Sequence, residues 1–533
     1  MNINRRIIRT IETIRYLKPA QVLYRVKYNL SPARKLTHHY FSGDLHKNFT
    51  LIELPEQKNI LSFHDGTCSV DILNLRKTYS SAINWGDLEY GRLWNYNLQY
   101  ADFLNQSNLS VDKRKELLLD LYKWLTEGKI APEPYPSSLR IMNIVRFYND
   151  HYSDSYLVPE LLNSLYSELC FLSGRLEYHL SANHLLENAF ALLMGGTYLK
   201  NKTWIKKAIK ILTIELREQI LDDGAHYERS AMYHNIILFR ILEAVSYTDD
   251  RSDLHLFLRN IAAKMISWTK KMMFRNGHMP HVNDSADGVA FTSDSLIRSA
   301  KQLSINTELE APLKSSGYRV FKTQPFELIT DVDGINPSHQ PGHAHADSLS
   351  FLLNVNGEPI VVDPGTSTYE FCERRQWERS TLAHNTVTVN NENTADVWQS
   401  FRVGRRPDVQ ILHETNASVT AQLSCKRMNG GNFTHKRHFS VNHDDLIIED
   451  ETAVSEIVTG RLYFAPGIKV TVENPGITIR TPSQKVLLAF ENVIDTAIFE
   501  YGYALGFNNT TTSSGIAYQF KNKCRLLFNE GKT

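Results

Sequence analysis

Cysteine is scarce in this sequence, and its few copies are scattered. The chain has five cysteines among 533 residues, and no two of them stand in a CxxC spacing. Such an odd, dispersed set argues against a disulfide framework and against a thiolate metal centre. We therefore expect reduced, buried thiols at Cys68, Cys170, Cys372, Cys425 and Cys524.

An excess of charge of one sign is also missing. The chain carries 59 Lys and Arg against 58 Asp and Glu, a formal net charge of +1 at pH 7. This balance creates no overall field that would draw nucleic acid or an anionic membrane. We expect no nucleic-acid partner, and we expect any acidic partner to be bound by local clusters.

Long apolar runs are absent as well. The sequence has no stretch of about 18 apolar residues that could cross a bilayer, so we expect no transmembrane segment. The basic start MNINRRIIRTIETIRYLKP is interrupted by Arg, Glu and Thr where a signal peptide would have its apolar core. These observations predict a cytoplasmic protein or one exported by an unrecognised route, and they leave the oligomeric state unknown.

The sequence does have two textures, which predict an α+β multidomain protein. Residues 111–304 repeat apolar positions at three- and four-residue steps, typical of helices that pack on helices. After Gly317, short β-branched or aromatic runs alternate with turn signals, which indicates an antiparallel β-sandwich. We divide the chain into a helical or extended region at 1–90, a helical domain at 91–314 and a β domain at 315–533. Ahead of the clear helices, Trp94, Tyr96 and Tyr100 fit a core better than a sugar-stacking surface.

A histidine-rich segment, PGHAHADSLSFLL, precedes a predicted strand at residues 341–353. If this segment is extended, His343 and His345 point to the same side. Asp363 and His384 follow downstream, and two histidines with one carboxylate suit a zinc ion. However, a hairpin tip at residues 356–357 would put His345 roughly 16 Å along the strand from Asp363, unless residues 341–346 bend back. Both a metal site and a polar lead-in to a hairpin remain open at this point.

Two helical segments carry polar groups beside an apolar face. In SANHLLENAFALLMGG, an amide, an imidazole and a carboxylate at Asn183, His184 and Glu187 form one edge of a helix. In APEPYPSSLRIMN, Arg140 and Asn143 lie one turn apart near a helix start. Substrate binding and an ordinary solvent-facing stripe or ion pair are the alternatives for both segments.

The segment DDGAHYERSAMYHNIIL concentrates groups that exchange protons or bind carboxylates at the start of another helix. Tyr227, Tyr233 and His234 can take part in acid–base chemistry, and Arg229 can bind a carboxylate through two donors. Taken singly, either tyrosine is as well explained as a buried core residue.

Together these segments resemble the heparinase II/III-like polysaccharide lyases, a family that includes heparin, heparan sulfate and alginate lyases. The resemblance rests on YPSSLRIMN, NHLLENAFAL, DDGAHYERSAMYH and GHAHADSLSFLLNVNGEPIVVDPGTSTY followed by AHNTV, in that order, over about residues 91–391. It implies an incomplete (α/α) toroid followed by an antiparallel β-sandwich, with the substrate cleft between them. It also implies β-elimination on an anionic polysaccharide or oligosaccharide that contains uronic acid.

The resemblance assigns the helical motifs to the substrate. Asn183 would bind the uronate carboxylate, His184 would assist there or act as a base, and Glu187 would orient His184 or bind sugar. By the same likeness Arg140 belongs to the cleft, and we add Asn143 and, for its carboxylate-binding fork, Arg229 as substrate-binding candidates.

The remaining catalytic roles follow from the same resemblance. Tyr233 is our first choice for the phenol that protonates the leaving oxygen, and Tyr227 is the alternative. His343 matches a histidine of the β domain that reaches into the cleft, which makes it a second candidate for the base.

His345, Asp363 and His384 match the zinc ligands of the family, so we expect a Zn²⁺ ion with a structural or supporting role. The absence of a recognisable signal peptide departs from the usual secreted members and suits a surface-polysaccharide polymer as substrate. Two other functions remain: a non-catalytic glycan-binding or polysaccharide-assembly protein, and a glycoside hydrolase that uses Glu187 and Glu228.

Overall fold

Helices dominate the first 300 residues of the computed structural model, which describes residues 3–46, 49–151, 159–427, 430–473 and 476–531. Two helices come first, and a small antiparallel sheet follows them. These elements are α1 (Ile3–Ile14), α2 (Pro19–Leu30), β1 (Leu61–His64), β2 (Thr67–Ile72) and β3 (Leu75–Tyr79). The helical domain then runs through α3 (Gly91–Gln99), α4 (Val111–Glu127), α5 (Pro134–Asp150), α6 (Pro159–Gly174), α7 (Ala182–Tyr198), α8 (Lys202–Gln219), α9 (Ala231–Tyr247), α10 (Asp253–Met272) and α11 (Ser293–Gln302).

Local signals in the sequence explain where these helices begin and end. The Ser110 side chain accepts a hydrogen bond from the Lys113 amide at the start of α4, and Gly128 ends that helix in the left-handed conformation. Asn201 caps α8 in the same way as Ser110 caps α4. The apolar sides of the helices share one buried core that includes Leu118, Leu186 and Leu242. The helical pattern predicted for residues 111–304 is therefore confirmed, and Trp94 lies in this core.

Strands dominate the chain from Tyr318 onward. A four-stranded antiparallel sheet contains β4 (Tyr318–Lys322), β5 (Phe326–Asp331), β6 (Phe351–Val355) and β7 (Glu358–Val361). After β7 the chain forms α12 (Glu373–Glu378) and the short strands β8 (Val387–Val389), β9 (Val397–Trp398) and β10 (Arg402–Val403), of which β9 and β10 pair with each other. The larger sheet is built from β11 (Asp408–Glu414), β12 (Ser418–Lys426), β13 (Asn432–Val441), β14 (Asp445–Thr452), β15 (Val458–Tyr463), β16 (Lys469–Glu473), β17 (Gly476–Arg480), β18 (Lys485–Gly506) and β19 (Asn509–Gly531), with β8 added beside β15.

The two sheets of the β domain pack face to face. Inward-facing residues of the smaller sheet, such as Leu328 and Leu353, share a core with Val419, Leu446 and Ile516 of the larger sheet. Burial alternates along β13 and β14, as expected when one face of a sheet is covered. The fold class predicted from the sequence, helical domain first and antiparallel β-sandwich second, is confirmed.

The cysteines, the helix lengths and the domain boundary also bear on the sequence expectations. All five cysteines are free; Cys68 and Cys524 are buried, whereas Cys372 is exposed and so differs from the expectation. No helix in the described ranges is long and apolar enough to span a bilayer. The chain passes from the last helix of the helical domain to the first strand of the β domain between Gln302 and Tyr318.

Candidate active site

A cavity of about 700 Å³ lies where the helical and β domains meet. The helical domain contributes residues from α3, α5, α7 and α9, and the β domain contributes loop residues. Polar and aromatic groups able to bind sugar or move protons line it: Tyr96, Tyr100, Tyr135, Asn143, Asn183, His184, Glu187, Tyr233, Arg240, His343, Tyr369 and Phe401. Six of the predicted site residues therefore line this cavity: Asn143, Asn183, His184, Glu187, Tyr233 and His343.

The start of α7 brings an amide to the cavity wall. Ser181 and Ala182 have φ values of 61° and 51°, in the left-handed region that non-glycine residues seldom adopt. Directly after this turn, the Asn183 side-chain nitrogen donates to both carboxylate oxygens of Glu228, at 3.0 and 3.1 Å. Burial raises the pKa of Glu228, although His343 and Asn183 oppose this rise. Glu228 thus fixes the orientation of the amide at the cavity.

His184 is the next residue of α7 and faces the same cavity. Its ring lies 4.4 Å from the Tyr135 ring, and its Nδ1 lies 3.2 Å from a carboxylate oxygen of Glu177. Burial would lower the pKa of His184, but the Glu177 carboxylate outweighs it and the pKa is raised above its ordinary value. This arrangement favours the protonated imidazole, which can neutralise a carboxylate.

Glu187 lies one turn further along α7 and is fully buried. Its Oε2 accepts a hydrogen bond of 2.9 Å from Nε of Arg240, while Oε1 has no hydrogen-bond partner in the described part of the chain. Burial raises the pKa of Glu187, and the neighbouring guanidinium opposes that rise. Glu187 and Arg240 together form a charged pair in the cavity wall.

The start of α9 positions a tyrosine. Ser230 caps the helix by accepting a hydrogen bond from the Tyr233 amide at 3.2 Å, and its hydroxyl donates to the Asp284 carbonyl oxygen at 2.6 Å. The Tyr233 hydroxyl lies 3.2 Å from the Tyr369 hydroxyl. Burial, with further effects from Tyr369, raises the pKa of Tyr233 well above its ordinary value. The phenol is therefore protonated at neutral pH and suits a proton donor.

A histidine from the β domain lies against this tyrosine. The ring centroids of His343 and Tyr233 are 4.0 Å apart. Nδ1 of His343 lies 2.8 Å from Oδ2 of Asp284, a residue between α10 and α11. A carboxylate in this position holds the proton on Nδ1 and leaves Nε2 as a proton acceptor. The two domains thus bring a phenol and an imidazole together in one cavity.

Asp284 connects the helical domain with several groups of the β domain. Its carboxylate accepts a hydrogen bond from Nη2 of Arg375 at 2.7 Å and lies 2.8 Å from Nε2 of His345. Burial alone would raise the pKa of Asp284, but Arg375 and the two imidazoles hold it well below its usual range. The carboxylate is charged, buried and fully engaged, so it orients its neighbours.

The predicted metal-binding residues are close together. The rings of His345 and His384 are 5.3 Å apart, and Nδ1 of His384 lies 2.7 Å from Oδ2 of Asp363. Nδ1 of His345 and Nε2 of His384 are buried and lack a hydrogen-bond partner in the described ranges. These two free nitrogens fit a soft or borderline metal ion, although no group of three or more His, Cys, Asp or Glu among the described residues is arranged as a metal site.

Two family models match the chain and together span residues 76–524. The model described as heparinase II/III N-terminus matches residues 76–307, and the model described as heparinase II/III-like, C-terminal, matches residues 306–524. The chain belongs to the heparinase II/III-like family. The helical domain and the β domain of the structure correspond to these two matched regions.

Curated relatives within the heparinase II/III-like family are distant in sequence. A heparin-sulfate lyase of Bacteroides stercoris is 24% identical over 425 residues, which are 71% of this chain and 60% of the relative. A heparin-sulfate lyase of Pedobacter heparinus is 23% identical over 374 residues, 62% of this chain and 53% of the relative. An exo-oligoalginate lyase of Saccharophagus degradans is 37% identical, but only over 103 residues. The chain therefore spans between about half and three fifths of the two heparin-sulfate lyases that it matches.

Solved structures support the same fold. A crystal structure of heparinase III superposes with a TM-score of 0.68 at 17% identity, and the match covers 85% of this chain and 80% of that chain. A heparan sulfate lyase from Pedobacter heparinus gives a TM-score of 0.56 at 15% identity and covers 85% of this chain and 79% of that chain. At these identities the likeness concerns the fold.

Three residues that the heparinase II/III-like resemblance or its motifs suggested lie away from the cavity. Arg140 is fully buried and donates to Glu168 of α6, with 3.2 Å from Nε to Oε2, and to the Gln99 carbonyl oxygen at 2.6 Å. Tyr227 is buried between the rings of His226 and His339, at 5.1 and 5.8 Å. Arg140 and Tyr227 therefore do not reach the cavity, as a substrate-binding or catalytic role would require, because neighbouring elements enclose both side chains.

Arg229 is the third of these residues, and it is occupied by a contact between domains. Its Nη2 donates to Asp333 at 2.7 Å, and its backbone oxygen accepts a hydrogen bond of 2.9 Å from the Tyr318 hydroxyl. Arg229 thus joins the segment before α9 to the β domain.

Asn143, by contrast, does line the cavity, but its amide is engaged with Asp102, at 2.7 Å, and with Tyr100 and Asn105.

Some residues of this heparinase II/III-like site carry little signal in the sequence: Tyr369 lines the cavity, whereas Asp284 and Arg375 are buried behind it. Tyr369 stands within the quoted GTSTY motif, so it was visible but had no role. Asp284 and Arg375 lie in loop and short-helix segments without periodic pattern, and their pairing across 91 positions gives no local signal. Tyr100 is buried, as the core interpretation predicts, yet both Tyr96 and Tyr100 also line the cavity.

Proposed function

We propose that this protein is a polysaccharide lyase that cleaves a uronic-acid-containing polysaccharide by β-elimination and leaves an unsaturated uronate end. One observation carries the proposal: a single cavity contains an amide and a cationic imidazole beside a protonated phenol and an oriented imidazole. The heparin-sulfate lyases and the exo-oligoalginate lyase among its relatives support the same substrate class.

The chemical difficulty of this reaction is the weak acidity of the proton on C5 of a uronate. That proton can leave when the charge that develops on the carboxylate is stabilised by fixed donors. We assign this role to Asn183 and to protonated His184, which follow each other at the start of α7. Glu187 and Arg240 complete the polar wall next to them and contact sugar hydroxyls.

We assign the proton transfers to His343 and Tyr233. Nε2 of His343 takes the C5 proton, since Asp284 holds the proton on Nδ1. The electron pair of the C5–H bond forms the C4–C5 double bond, the C4–O4 bond breaks, and Tyr233 donates its proton to O4. The resulting phenolate then regains a proton from the imidazolium of His343, whose ring is 4.0 Å away, and no water is consumed.

We also propose a zinc ion held by His345, Asp363 and His384. The two unpartnered ring nitrogens support this proposal, and Asp284 would orient His345 from its other nitrogen, as carboxylates do beside zinc-binding histidines. When bound, the ion would tie together the loops that carry His345 and His384 and act as a structural cross-link. The elimination itself uses only the side chains named above.

The proposed activity is tested by incubating the protein with a panel of uronic-acid polymers, among them heparan sulfate, heparin and alginate. We expect ultraviolet absorbance of the unsaturated product with at least one polymer, together with new chain ends. New chain ends without absorbance would favour a hydrolase based on Glu187 and Glu228. Binding of a polymer without any cleavage would favour a glycan-binding protein and would overturn the lyase proposal.

The metal proposal has its own test, which does not depend on activity. We expect about one zinc ion per chain in the purified protein by elemental mass spectrometry, and a large loss of zinc in His345→Ala. A buried histidine outside the proposed set provides the control, since His339→Ala should keep its zinc. A wild-type protein without metal after growth and purification with added zinc would overturn the proposal.

A further inference from the structure

The first two helices present their apolar residues to solvent. In α1, Ile7, Ile8, Ile11 and Ile14 are between 52% and 61% exposed. These positions fall within an arc of about 120° on a helix of 3.6 residues per turn, so they form one strip. Surface helices normally bury such a strip, and its exposure marks a binding surface.

The second helix repeats this arrangement. Val22, Leu23, Val26 and Leu30 of α2 are between 44% and 81% exposed. They fall within an arc of about 100°, and only a short connection separates α2 from α1. We call the exposed apolar residues of the two helices, Ile7, Ile8, Ile11, Ile14, Val22, Leu23, Val26 and Leu30, the N-terminal apolar face.

Polar residues attach both helices to the rest of the molecule. In α1, Nε of Arg9 donates to Asp396 at 2.9 Å, and the Thr13 hydroxyl donates to the Val403 carbonyl oxygen at 3.1 Å. In α2, the Tyr28 hydroxyl donates to the Leu176 carbonyl oxygen at 2.7 Å, and the Gln21 amide donates to the His339 carbonyl oxygen at 3.3 Å. The helices are thus oriented by specific polar contacts that keep the N-terminal apolar face outward.

Charge around this face is strongly one-sided. Residues 1–35 contain nine Lys and Arg and one acidic residue, Glu12, whereas the whole chain has 59 basic and 58 acidic residues. Arg6, Arg25 and Lys27 are exposed on the same two helices, and Arg15 is exposed directly after the end of α1. A helix with an apolar strip and exposed basic residues is the form that lies in the interface of an anionic bilayer.

We propose that α1 and α2 bind the surface of an anionic phospholipid bilayer. The apolar strip enters the boundary between headgroups and acyl chains, and the basic side chains contact the phosphates of the headgroups. The helices lie on the bilayer and do not cross it, in agreement with their length of 12 residues each. These helices precede the region that the family models match, which begins at residue 76.

Charge complementarity favours lipid over a second copy of the chain as the occupant of this face. Two copies that met through the N-terminal apolar face would bring the exposed basic residues of both close together, and like charges across an interface are unfavourable. An anionic bilayer offers opposite charge and apolar depth at the same place.

The test is cosedimentation of the full-length protein with vesicles of phosphatidylcholine that contain phosphatidylglycerol. We expect binding to these vesicles and binding at least about tenfold weaker to pure phosphatidylcholine. Ile11→Glu combined with Leu23→Glu should weaken binding by at least about tenfold, because each change puts a charge into the apolar strip. Ile494→Glu with Ile498→Glu, at comparably exposed positions of β18, is the matched control and should bind like wild type.

Three results would overturn the proposal. The wild-type protein could stay in the supernatant with anionic vesicles, or the Ile11→Glu/Leu23→Glu variant could sediment as well as wild type. Light scattering could also reveal a dimer that the same variant converts to a monomer while neither binds vesicles, which would assign the face to a second copy. Because all these substitutions are at exposed positions, circular dichroism and thermal melting should stay unchanged and exclude misfolding as the cause.

Discussion

At the scale of single residues, two tyrosines six positions apart have different proposed roles, one in catalysis and the other in packing. Tyr233 lines the cavity beside His343, whereas Tyr227 is buried outside it. Removing the Tyr233 hydroxyl removes the proposed proton donor, so we expect Tyr233→Phe to lower kcat by about 10²- to 10⁴-fold. Tyr227→Phe is the matched control, and its kcat should stay within a few-fold of wild type. Initial rates from the absorbance of the unsaturated product measure both.

The roles of the two tyrosines would be reversed if Tyr227→Phe lost activity and Tyr233→Phe kept it. Full activity in both variants would instead exclude a phenol as the acid. Circular dichroism of each variant provides the folding control, since either substitution removes one oxygen and leaves the ring in place.

A second residue-scale prediction concerns the charge on His184. The carboxylates of Glu177, Glu228 and Glu187 all favour the protonated form of His184. The uncharged ring of Tyr135 lies 4.4 Å from the His184 ring. The pKa of His184 is raised, so the imidazole is charged below that pKa and neutral above it. If His184 binds the substrate carboxylate, KM should rise as pH increases through this pKa.

Replacing Glu177 with Gln removes the largest favourable charge and should lower the pKa of His184. We therefore expect the rise in KM, and the fall in kcat that follows loss of this positive charge in the transition state, to begin at lower pH in Glu177→Gln than in wild type, with the low-pH limb of the kcat profile little changed. KM and kcat measured across pH 5–9 for both proteins check this. A variant whose kcat limb at low pH shifts downward would instead identify His184 as the catalytic base.

At the scale of elements, local sequence pattern predicts the hairpin that follows residues 341–350 but not the conformation of that segment itself. The hairpin of β6 and β7, with its turn at Asn356 and Gly357, follows the predicted turn signal. Ahead of it, the segment is an irregular loop and not an extended strand, as the bent-back alternative required. The His345 amide donates to Asn283 at 2.9 Å and the Ala346 amide to the Arg379 carbonyl oxygen at 3.0 Å. These contacts come from distant parts of the chain, so alternation within the segment could not reveal them.

The helices show the same division. Their positions follow from apolar spacing and caps, and Asn183, His184 and Tyr233 are predictable because they lie at the starts of two predicted helices. The resemblance places Arg140 at the cleft, yet its side chain is fully buried and donates to Glu168 on the next helix. Sequence patterns indicate which face of a helix is polar, but the neighbour that satisfies a polar group depends on packing.

An element-scale prediction follows for the loop around Asp284. Asp284→Asn removes the charge that pairs with the buried guanidinium of Arg375, which would remain uncompensated. Breaking a buried pair on one side costs about 3–5 kcal/mol, and we expect a loss of this size in the free energy of unfolding. Asp287→Asn, three residues further on and largely exposed, is the control and should change it by less than about 1 kcal/mol. Urea unfolding measures both; equal stability of wild type and Asp284→Asn would contradict the assigned pairing.

At the scale of the whole molecule, the candidate site exists only where two domains meet. The helical domain supplies Asn183, His184 and Tyr233, and the β domain supplies His343 and Tyr369. Neither the helical periodicity nor the strand pattern contains the relative position of these groups. Their alignment depends on contacts between the domains. One of these contacts is the ion pair of Arg229 with Asp333, and Arg229 lies four residues before Tyr233 in the chain.

This pair gives a test of domain alignment against direct substrate binding. Arg229→Met keeps much of the apolar stem but loses the contact with Asp333, so Tyr233 and His343 should lose their alignment. Since misplacement of reacting groups by about 1 Å costs up to about 10²-fold, we expect kcat to fall by about 10- to 100-fold, with a lower melting temperature. Lys436→Met removes an exposed ion pair with Glu451 on the β-sandwich and should change neither quantity. If Arg229 contacts substrate instead, its loss should raise KM and leave kcat and the melting temperature close to wild type, so the two parameters together decide between the roles.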